Sequence, residues 1–210
     1  MIAYKKMKEH MKNGQTLSSE DLQQAQTFNQ QRYLRIDQLI SVDLALTCAI
    51  YAKAMETHQY TGGDQQAPNS NSVYGDFLME SLLGMLLPKV EEITGLALSP
   101  TYSYYRVYKA GEELKEHCDR PACEVSLSLC LGYDYLGKNF RWRFAIGDKK
   151  IALEPGDAVI YRGMEIPHSR PKLQTPEGSW HAQTFLHYVE SEGPHSEQQF
   201  DGRPGLFHRK

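Results

Sequence analysis

The spacing of apolar residues changes near the middle of this 210-residue chain. Up to about residue 99, apolar residues recur every three to four positions, which is the period of a helix buried on one side. Beyond that point they alternate with polar residues, which is the period of a strand with one buried face. The pattern predicts an α+β protein in which N-terminal helices pack on a sheet formed by the second half.

Three segments of the first part predict helices. A polar segment has Ser18 or Ser19 as its N-cap, and a more apolar segment begins with Ser41 as its cap. In a third, strongly apolar segment, Pro88 predicts a kink or break and Gly95 predicts the C-terminal end. These helices are expected to cover one face of the sheet.

Two connecting stretches lie between the helices. Residues 32–40, "RYLRIDQLI", predict a short strand. Residues 58–75 are rich in Gly, Asn, Ser and Pro and predict a long loop. Loops of this length in compact domains are often functional, so we expect the loop to take part in the choice of substrate.

The second half contains short β-branched or aromatic runs separated by Gly, Pro and Asp. These runs occupy residues 101–108, 123–131, 140–146, 149–154, 157–163 and 181–189. Such a rhythm is typical of an antiparallel sandwich or jelly roll. The expected fold is a double-stranded β-helix of about eight antiparallel strands, flanked by the N-terminal helices.

Composition excludes several classes of protein. Hydrophobic residues make up 40% of the chain, which suits a single domain with a sizeable core. The net charge is -3 and no block of Lys and Arg is dense, so nucleic acid is not an expected partner. We find no apolar run of about 20 residues and no apolar stretch of the secretory type near the N-terminus. The sequence therefore predicts a cytoplasmic protein that is not inserted in a membrane.

One short segment carries candidate metal chemistry. In "KEHCDRPACE", residues 115–124, His117 and Asp119 are two positions apart and would project together from a strand, with Cys118 facing outward. A third ligand must come from another strand. His168 is favoured over the later histidines, because the turn after "PGDAVIYRG" would bring it back beside His117 in an antiparallel roll. Two imidazoles and one carboxylate on one side of a metal are typical of non-heme Fe(II) sites that activate O2.

The context of these residues resembles that of a known family. The segment "RVYKAGEELKEHCD" is similar to the approach to the metal in prolyl 4-hydroxylase-like 2-oxoglutarate/Fe(II) dioxygenases, which follows the pattern Y-x-x-G-x-x-x-x-x-H-x-D. Tyr108, Gly111, His117 and Asp119 match that spacing. The later segment "LEPGDAVIYRGMEIPHSRP" also resembles the family's approach to its second histidine. The resemblance covers roughly residues 100 to 190.

The resemblance implies an enzyme that uses Fe(II), 2-oxoglutarate and O2. Such an enzyme hydroxylates an unactivated C–H bond and releases succinate and CO2. The substrate would be a peptidyl residue, an amino acid or a small molecule. The expected organisation is one domain over residues 1–210, with a mainly helical support region at 1–99, a catalytic jelly-roll core at 100–190 and a tail at 191–210.

The resemblance also implies a site for the distant C5 carboxylate of 2-oxoglutarate. Tyr108 matches the family's hydroxyl donor. The family usually supplies a Lys or Arg on the last strand, where this chain has His181. Arg170 is favoured instead, because it follows His168 by two positions and a guanidinium binds a carboxylate in a bidentate fork. Arg141 and Arg143 are further candidates.

Three other readings compete with this hypothesis. A cupin-like dioxygenase or isomerase that does not use 2-oxoglutarate would share the roll and the histidines, but it would need neither Tyr108 nor an inward arginine. A zinc hydrolase would need a general base beside the ligands, for which Glu124 is a weak candidate. In a non-catalytic binding module, His117 and Asp119 would be a buried hydrogen-bonded pair.

Overall fold

The computed structural model describes residues 19–56, 65–68 and 70–208, and all that follows concerns those residues. Three α-helices precede most of the strands: α1 (Ser19–Gln31), α2 (Val42–Met55) and α3 (Phe77–Thr94). Within the described residues, no helix combines the length and the apolar character that a bilayer crossing requires. The helices predicted from the 3.6-residue period are confirmed.

Cap residues explain where the helices begin and end. The Ser41 side chain accepts a hydrogen bond from the backbone N–H of Leu44, which caps α2 as predicted. Gly95 ends α3 with a left-handed φ of 70°, also as predicted. The predicted break at Pro88 is wrong, because α3 continues through it with Leu86, Leu87 and Val90 all buried against the core. Ser18, the alternative cap for α1, lies outside the described residues.

Ten strands form two antiparallel sheets. The larger sheet has the order β1-β8-β5-β10-β3-β2 and the smaller has the order β4-β9-β6-β7. The strands are β1 (Tyr33–Ile36), β2 (Asn71–Tyr74), β3 (Leu98–Lys109), β4 (Leu114–His117), β5 (Val125–Asp134), β6 (Phe144–Ile146), β7 (Lys149–Ile151), β8 (Ala158–Arg162), β9 (His168–Arg170) and β10 (Trp180–Glu190).

The architecture is the predicted double-stranded β-helix. Strands β3 to β10 are the eight strands of the roll, and β1 and β2 extend the larger sheet at its two edges. Strand β1 confirms the strand predicted at residues 32–40. Strand β2 lies in the stretch predicted as a loop, where it pairs with β3, whereas residues 58–64 and residue 69 of that stretch are outside the described part. The strand expected to carry His117 and Asp119 is β4, which ends at His117, and β9 was not among the predicted runs.

The two faces of the larger sheet have different compositions. Its outer face contributes residues such as Val107, Leu127, Leu129 and Leu186 to one apolar core shared with α2 and α3. Its inner face, turned toward the smaller sheet, carries aromatic, hydroxyl and charged side chains from β3, β5 and β10. Because neighbouring residues of a strand point to opposite faces, alternate residues of the same strand form the apolar outer face and the more polar inner face.

The C-terminal segment is anchored to α3 by a buried ion pair. Arg203 lies 2.6 Å from a carboxylate oxygen of Glu80, and both side chains are at most 1% exposed. The guanidinium also donates hydrogen bonds to the carbonyl oxygens of Thr101, Phe200 and His208. Desolvated charges must be fully partnered to be tolerated, and this arginine is.

Replacing Arg203 with Ala should leave the Glu80 carboxylate buried without its cation. Loss of one partner of a buried ion pair costs about 3–5 kcal/mol, so Arg203→Ala is expected to lower the free energy of unfolding by about that amount. Urea denaturation measures the change. The control is Arg141→Ala, which removes an exposed pair with Glu154 and should cost about 1 kcal/mol or less. Equal losses in the two variants would contradict the buried-pair interpretation.

Candidate metal centre

His117, Asp119 and His168 come together although they belong to two separate segments. Strands β4 and β9 pair with His117 opposite His168, and the ring centroids are 4.3 Å apart. The Nε2 atom of each histidine lies 3.6 Å from Oδ1 of Asp119. The three donor atoms, one from each residue, all lie within 4.8 Å of one another, so they can bind a single cation.

Backbone hydrogen bonds orient both imidazoles. Nδ1 of His117 is 2.7 Å from the Lys115 carbonyl oxygen, and Nδ1 of His168 is 3.1 Å from that of Ile166. A carbonyl only accepts, so each Nδ1 carries a proton, and in the neutral imidazole it is then Nε2 that presents a lone pair. This carbonyl–imidazole arrangement is the one that holds histidine ligands on metals. The donor set therefore fits a divalent cation.

A backbone carbonyl and a hydroxyl group form hydrogen bonds with Asp119 and fix the orientation of its carboxylate. Its N–H donates to the Gly163 carbonyl oxygen at 2.8 Å, and its Oδ2 accepts from the Ser126 hydroxyl at 2.8 Å. Ser126 Oγ in turn accepts from Nδ1 of His187 at 2.9 Å. Oδ2 is thereby engaged, and Oδ1 is the oxygen that faces the two Nε2 atoms. The predicted strand over residues 117–119 ends at His117, so tertiary contacts and not strand pairing position Asp119.

The electrostatics of the cluster favour an anionic Asp119. Burial opposes ionisation of the carboxyl, but the imidazoles of His117 and His168 hold the pKa of Asp119 well below its usual range. Burial likewise works against protonation of His117, yet the Asp119 carboxylate and the Lys115 carbonyl raise its pKa, with the charge of Arg106 acting in the opposite direction. Burial lowers the pKa of His187 to about 4, so that imidazole is neutral. A cation at the centre would compensate the buried carboxylate.

A cavity of about 410 Å³ opens onto one side of the cluster. Its walls include Tyr102, Tyr104 and Arg106 from β3 and Phe185 and His187 from β10. Tyr102 and Tyr104 face the cavity because the even positions of β3 point into the roll.

Deeper in the roll lies a buried arginine with no carboxylate partner. Arg170 follows His168 by two positions on β9 and is 1% exposed. It donates to the Trp142 carbonyl oxygen at 2.7 Å and to Oε1 of Gln183, and its guanidinium stacks 4.7 Å from the Trp142 ring centroid. Its Nε finds no hydrogen-bond partner, and no carboxylate of the described residues pairs with it. A guanidinium stays charged even where burial lowers its pKa, so this site calls for an anion.

Two of the other residues predicted to bind the cosubstrate, Tyr108 and His181, lie inside the roll. Tyr108 is fully buried and meets the edge of the Trp142 ring, 4.9 Å between centroids. His181 is also inside the roll, but Tyr135 and Gln183 occupy its two ring nitrogens at 2.9 and 3.2 Å. Burial and the charge of Arg170 hold the pKa of His181 well below its usual range, so it offers no positive charge.

Arg141 and Arg143 are exposed outside the roll. Of the four basic candidates, Arg170 is therefore the one that brings a positive charge into the interior.

Neither a protein-family model nor a curated protein matches this sequence. Many solved structures are similar to it at low sequence identity, among them the following three. The non-heme alpha ketoglutarate dependent epimerase SnoN from nogalamycin biosynthesis aligns with a TM-score of 0.67 at 13% identity, covering 91% of this chain and 92% of its own. A prolyl hydroxylase from Trichoplax adhaerens, solved with a hypoxia inducible factor peptide, gives 0.62 at 12% identity and 90% and 99% coverage.

A prolyl-4-hydroxylase from Pseudomonas putida gives a TM-score of 0.61 at 14% identity, covering 78% of this chain and 95% of that one. The chain has the fold of these enzymes. The likeness extends over both sheets and most of the helical region, well beyond the segment whose sequence carries the family resemblance.

Other site residues were missed by sequence reasoning. Ser126 and His187 support Asp119, and the alternation in "VSLSLCL" was the signal that Ser126 shares one face with Ser128 and Cys130. Arg120, next to Asp119, pairs with Asp201 at 2.8 Å, because the C-terminal segment folds back over this end of the roll.

Glu124 accepts a hydrogen bond from the Glu190 backbone N–H at 2.9 Å, and its side chain does not line the cavity. The carboxylate considered as a general base for a zinc hydrolase is therefore turned away from the cluster.

Gly163 is a further residue on which the cluster depends. A Cβ at this position would lie 2.3 Å from Oδ2 of Asp119, 2.4 Å from the Cys123 carbonyl oxygen and 2.8 Å from Oγ of Ser126. Real Cβ atoms do not approach so closely, and one of these contacts is with a backbone carbonyl oxygen, which cannot rotate away as a side chain can. Gly163 thus permits the close approach of the turn after β8 to the Asp119 carboxylate.

Replacing Gly163 with Ala should displace Asp119 and weaken metal binding. Disturbing the groups that support a ligand typically costs 10–100-fold in metal affinity, and we expect a loss of about that size in Gly163→Ala. Titration calorimetry with Zn²⁺ or Co²⁺ measures the dissociation constant. Gly205→Ala is the matched control, because its Cβ would make only an ordinary 3.6 Å contact with His208. Unchanged affinity in Gly163→Ala would remove the proposed role of this glycine.

Proposed function

We propose that the protein is a 2-oxoglutarate- and Fe(II)-dependent dioxygenase that hydroxylates an unactivated C–H bond of a peptidyl, amino-acid or small-molecule substrate. The observation that carries the proposal is the convergence of two Nε2 lone pairs and one carboxylate oxygen on a point bordered by the cavity. Such a facial set leaves coordination positions for further ligands, which is the arrangement used by non-heme Fe(II) oxygenases. The shared fold with enzymes of this kind supports the same conclusion.

His117, Asp119 and His168 would hold the ferrous ion. The bound ion would supply O2 activation coupled to conversion of 2-oxoglutarate to succinate and CO2. The protein itself fixes the ligand geometry through the carbonyl oxygens of Lys115 and Ile166 and the hydroxyl of Ser126. Because these groups are already in place, little reorganisation accompanies metal binding.

Arg170 is the proposed partner of the C5 carboxylate of 2-oxoglutarate. It lies two residues beyond His168 on the same strand face, about 7 Å along β9, so an elongated dicarboxylate can span from the metal to the guanidinium. Tyr108 and Tyr161 are both fully or almost fully buried in the same interior. The ring of Tyr108 meets the Trp142 ring on which Arg170 stacks, and the ring of Tyr161 lies 4.6 Å from that of His168. Gln183 holds the guanidinium in position from β10.

The structurally similar enzymes catalyse more than one type of reaction. They include an epimerase and a carbocyclase as well as prolyl hydroxylases. Hydroxylation is proposed here, and a product that gains one oxygen atom separates it from epimerisation or ring closure. The inward position of Arg170 favours use of 2-oxoglutarate over the cupin-like alternative, which would have no need of a buried cation.

Turnover of 2-oxoglutarate is the direct test. Purified protein with Fe(II), ascorbate and O2 is expected to form succinate, and a metal chelator should abolish it. Asp119→Ala should remove most of the activity because it deletes the anionic ligand, whereas Asp148→Ala, at an exposed surface pair with Lys149, should leave it unchanged. Succinate formation that is indifferent to the chelator or to the loss of Asp119 would refute the proposed function.

A second prediction concerns Arg170 alone. Arg170→Gln removes charge-assisted hydrogen bonds worth roughly 1.5–3 kcal/mol, so the KM for 2-oxoglutarate should rise about 10- to 100-fold. Metal affinity should stay the same, since Arg170 does not contact the ligands. Arg143→Gln, an exposed arginine near the neighbouring strand, provides the matched control. A KM that is equally affected in both variants would exclude Arg170 as the carboxylate partner.

A further inference from the structure

A second group of possible metal ligands lies beside the first and shares one residue with it. Cys123, His187 and Asp119 each contribute one donor atom, and the sulfur, the ring nitrogen and the carboxylate oxygen all lie within 4.8 Å of one another. Cys123 ends a short 3-10 helix, Pro121–Cys123, and His187 lies on β10. Both are largely buried, at 2% and 5% exposure, yet both line the cavity together with Asp119. A cation that enters the cavity can therefore reach this group.

Hydrogen bonds hold His187 in the form that a metal ligand requires. The Ser126 hydroxyl has two acceptors for its proton, Oδ2 of Asp119 at 2.8 Å and the Cys123 carbonyl oxygen at 3.2 Å. Toward Nδ1 of His187, at 2.9 Å, the hydroxyl oxygen is therefore the acceptor. Nδ1 carries the proton, and in the neutral ring Nε2 presents the lone pair. His117 and His168 are oriented in the same way, with an acceptor bonded to Nδ1.

A tyrosine hydroxyl accompanies the sulfur of Cys123. The hydroxyl oxygen of Tyr102 lies 3.0 Å from Sγ. If the sulfur becomes a thiolate, this hydroxyl can donate a hydrogen bond to it, which is the support that metal ligands usually receive from their neighbours. Binding of a cation replaces the thiol proton, which leaves to solvent, and the thiolate charge is then neutralised by the metal.

The other buried cysteines show what a packing role looks like. Cys48 and Cys130 are also buried, but neither lines the cavity. Within the part of the chain that the structure describes, neither belongs to a group of three possible metal ligands. Cys123 differs from them because an imidazole and a carboxylate are within reach of its sulfur.

The two groups of ligands suit different metals. Two imidazoles and a carboxylate, as in the first group, are typical of Fe(II) sites. A thiolate with an imidazole and a carboxylate is softer, and thiolate ligands favour Zn²⁺, which binds three protein ligands and keeps a fourth position for water. Because both groups include Asp119, a cation bound to the second engages a carboxylate on which the first depends.

We propose that Cys123, His187 and Asp119 form a second metal site, which binds a thiophilic divalent cation and for which Zn²⁺ is the expected occupant. The site adds to the proposed function and does not depend on it, because binding of the cation can be measured without 2-oxoglutarate and without turnover.

Cobalt binding tests the site, because a thiolate bound to Co²⁺ gives a charge-transfer band in the near ultraviolet that imidazole and carboxylate ligands do not give. The first group of ligands is removed by combining His117→Ala with His168→Ala, which leaves the three residues of the second group unchanged. This double variant is stripped with a chelator and titrated with Co²⁺. The expected result is a charge-transfer band that saturates at one Co²⁺ per chain, and absence of the band overturns the inference.

Further substitutions in the double variant identify the ligands. Cys123→Ser should abolish the band. His187→Ala should raise the dissociation constant for Co²⁺ about 100-fold or more, since loss of a group that only supports a ligand already costs 10–100-fold. Cys118→Ser is the matched control for the thiol, because Cys118 is exposed and lines the same cavity, and the band should persist. A band that is lost in Cys118→Ser and kept in Cys123→Ser overturns the assignment.

Two of these proteins separate the inference from the proposed function. Cys123→Ser alone retains the first group of ligands, and the double variant retains the second. If Cys123→Ser binds Co²⁺ and the double variant does not, the second site is refuted and the metal set of the proposed function stands. If the double variant shows the band and Cys123→Ser binds no Co²⁺, the second site is supported and the first set is contradicted.

Cadmium resonance supplies a measurement that needs no change in the first group of ligands. Thiolate ligands move the resonance of ¹¹³Cd to much higher frequency than nitrogen and oxygen ligands do. The unaltered protein with excess ¹¹³Cd²⁺ should give a resonance in the thiolate range, and Cys123→Ser should lack it. Thermal unfolding of each variant verifies its fold. Identical cadmium spectra of the unaltered protein and Cys123→Ser would overturn the proposed site.

Discussion

The candidate site depends on the pairing of two very short strands. Strands β4 and β9 bring His117 directly opposite His168, and the pairing contains a bulge, since Leu114 is opposite Arg170 while His117 is opposite His168. Two residues of β4, Lys115 and Glu116, thus lie opposite one residue of β9, Ser169. Strict alternation would turn Leu114 and His117 to opposite faces, but the extra residue lets both face the interior. The register of this strand pair therefore decides whether His117 and His168 lie close enough to bind the same cation.

The two faces of the larger sheet differ in composition, and this difference allows polar and charged groups in the interior of the roll. The outer face and the helices form the main apolar core, which includes Leu83, Val107, Leu129 and Leu186. The interior of the roll can then hold groups that are costly to bury, because each is satisfied by a specific partner. Asp119 is an example, with Gly163 bonding its backbone and Ser126 bonding its carboxylate.

The two buried arginines Arg203 and Arg170 differ in whether a carboxylate of the described residues neutralises their charge. Arg203 is also buried, but Glu80 and three carbonyl oxygens satisfy it completely, and it serves to anchor the C-terminal segment. Arg170 has one carbonyl and one amide oxygen for partners and no carboxylate among the described residues. The contrast explains why we assign stability to the first arginine and ligand binding to the second.

The sequence by itself determined the helices, the six strands that follow from its alternating runs, the jelly-roll class and the identity of the three candidate ligands. Those features leave local signals: a helical or alternating period, cap residues such as Ser41 and Gly95, and a spacing of His and Asp that resembles a known family. Only the tertiary structure decided what depends on contacts between distant segments. The bulged pairing of β4 with β9, the hydroxyl of Ser126 on Asp119 and the place of Gly163 behind it are such contacts. Likewise, Arg106 is one residue of an alternating strand until the fold turns it toward the cavity, because burial and electrostatic surroundings are properties of the assembled interior.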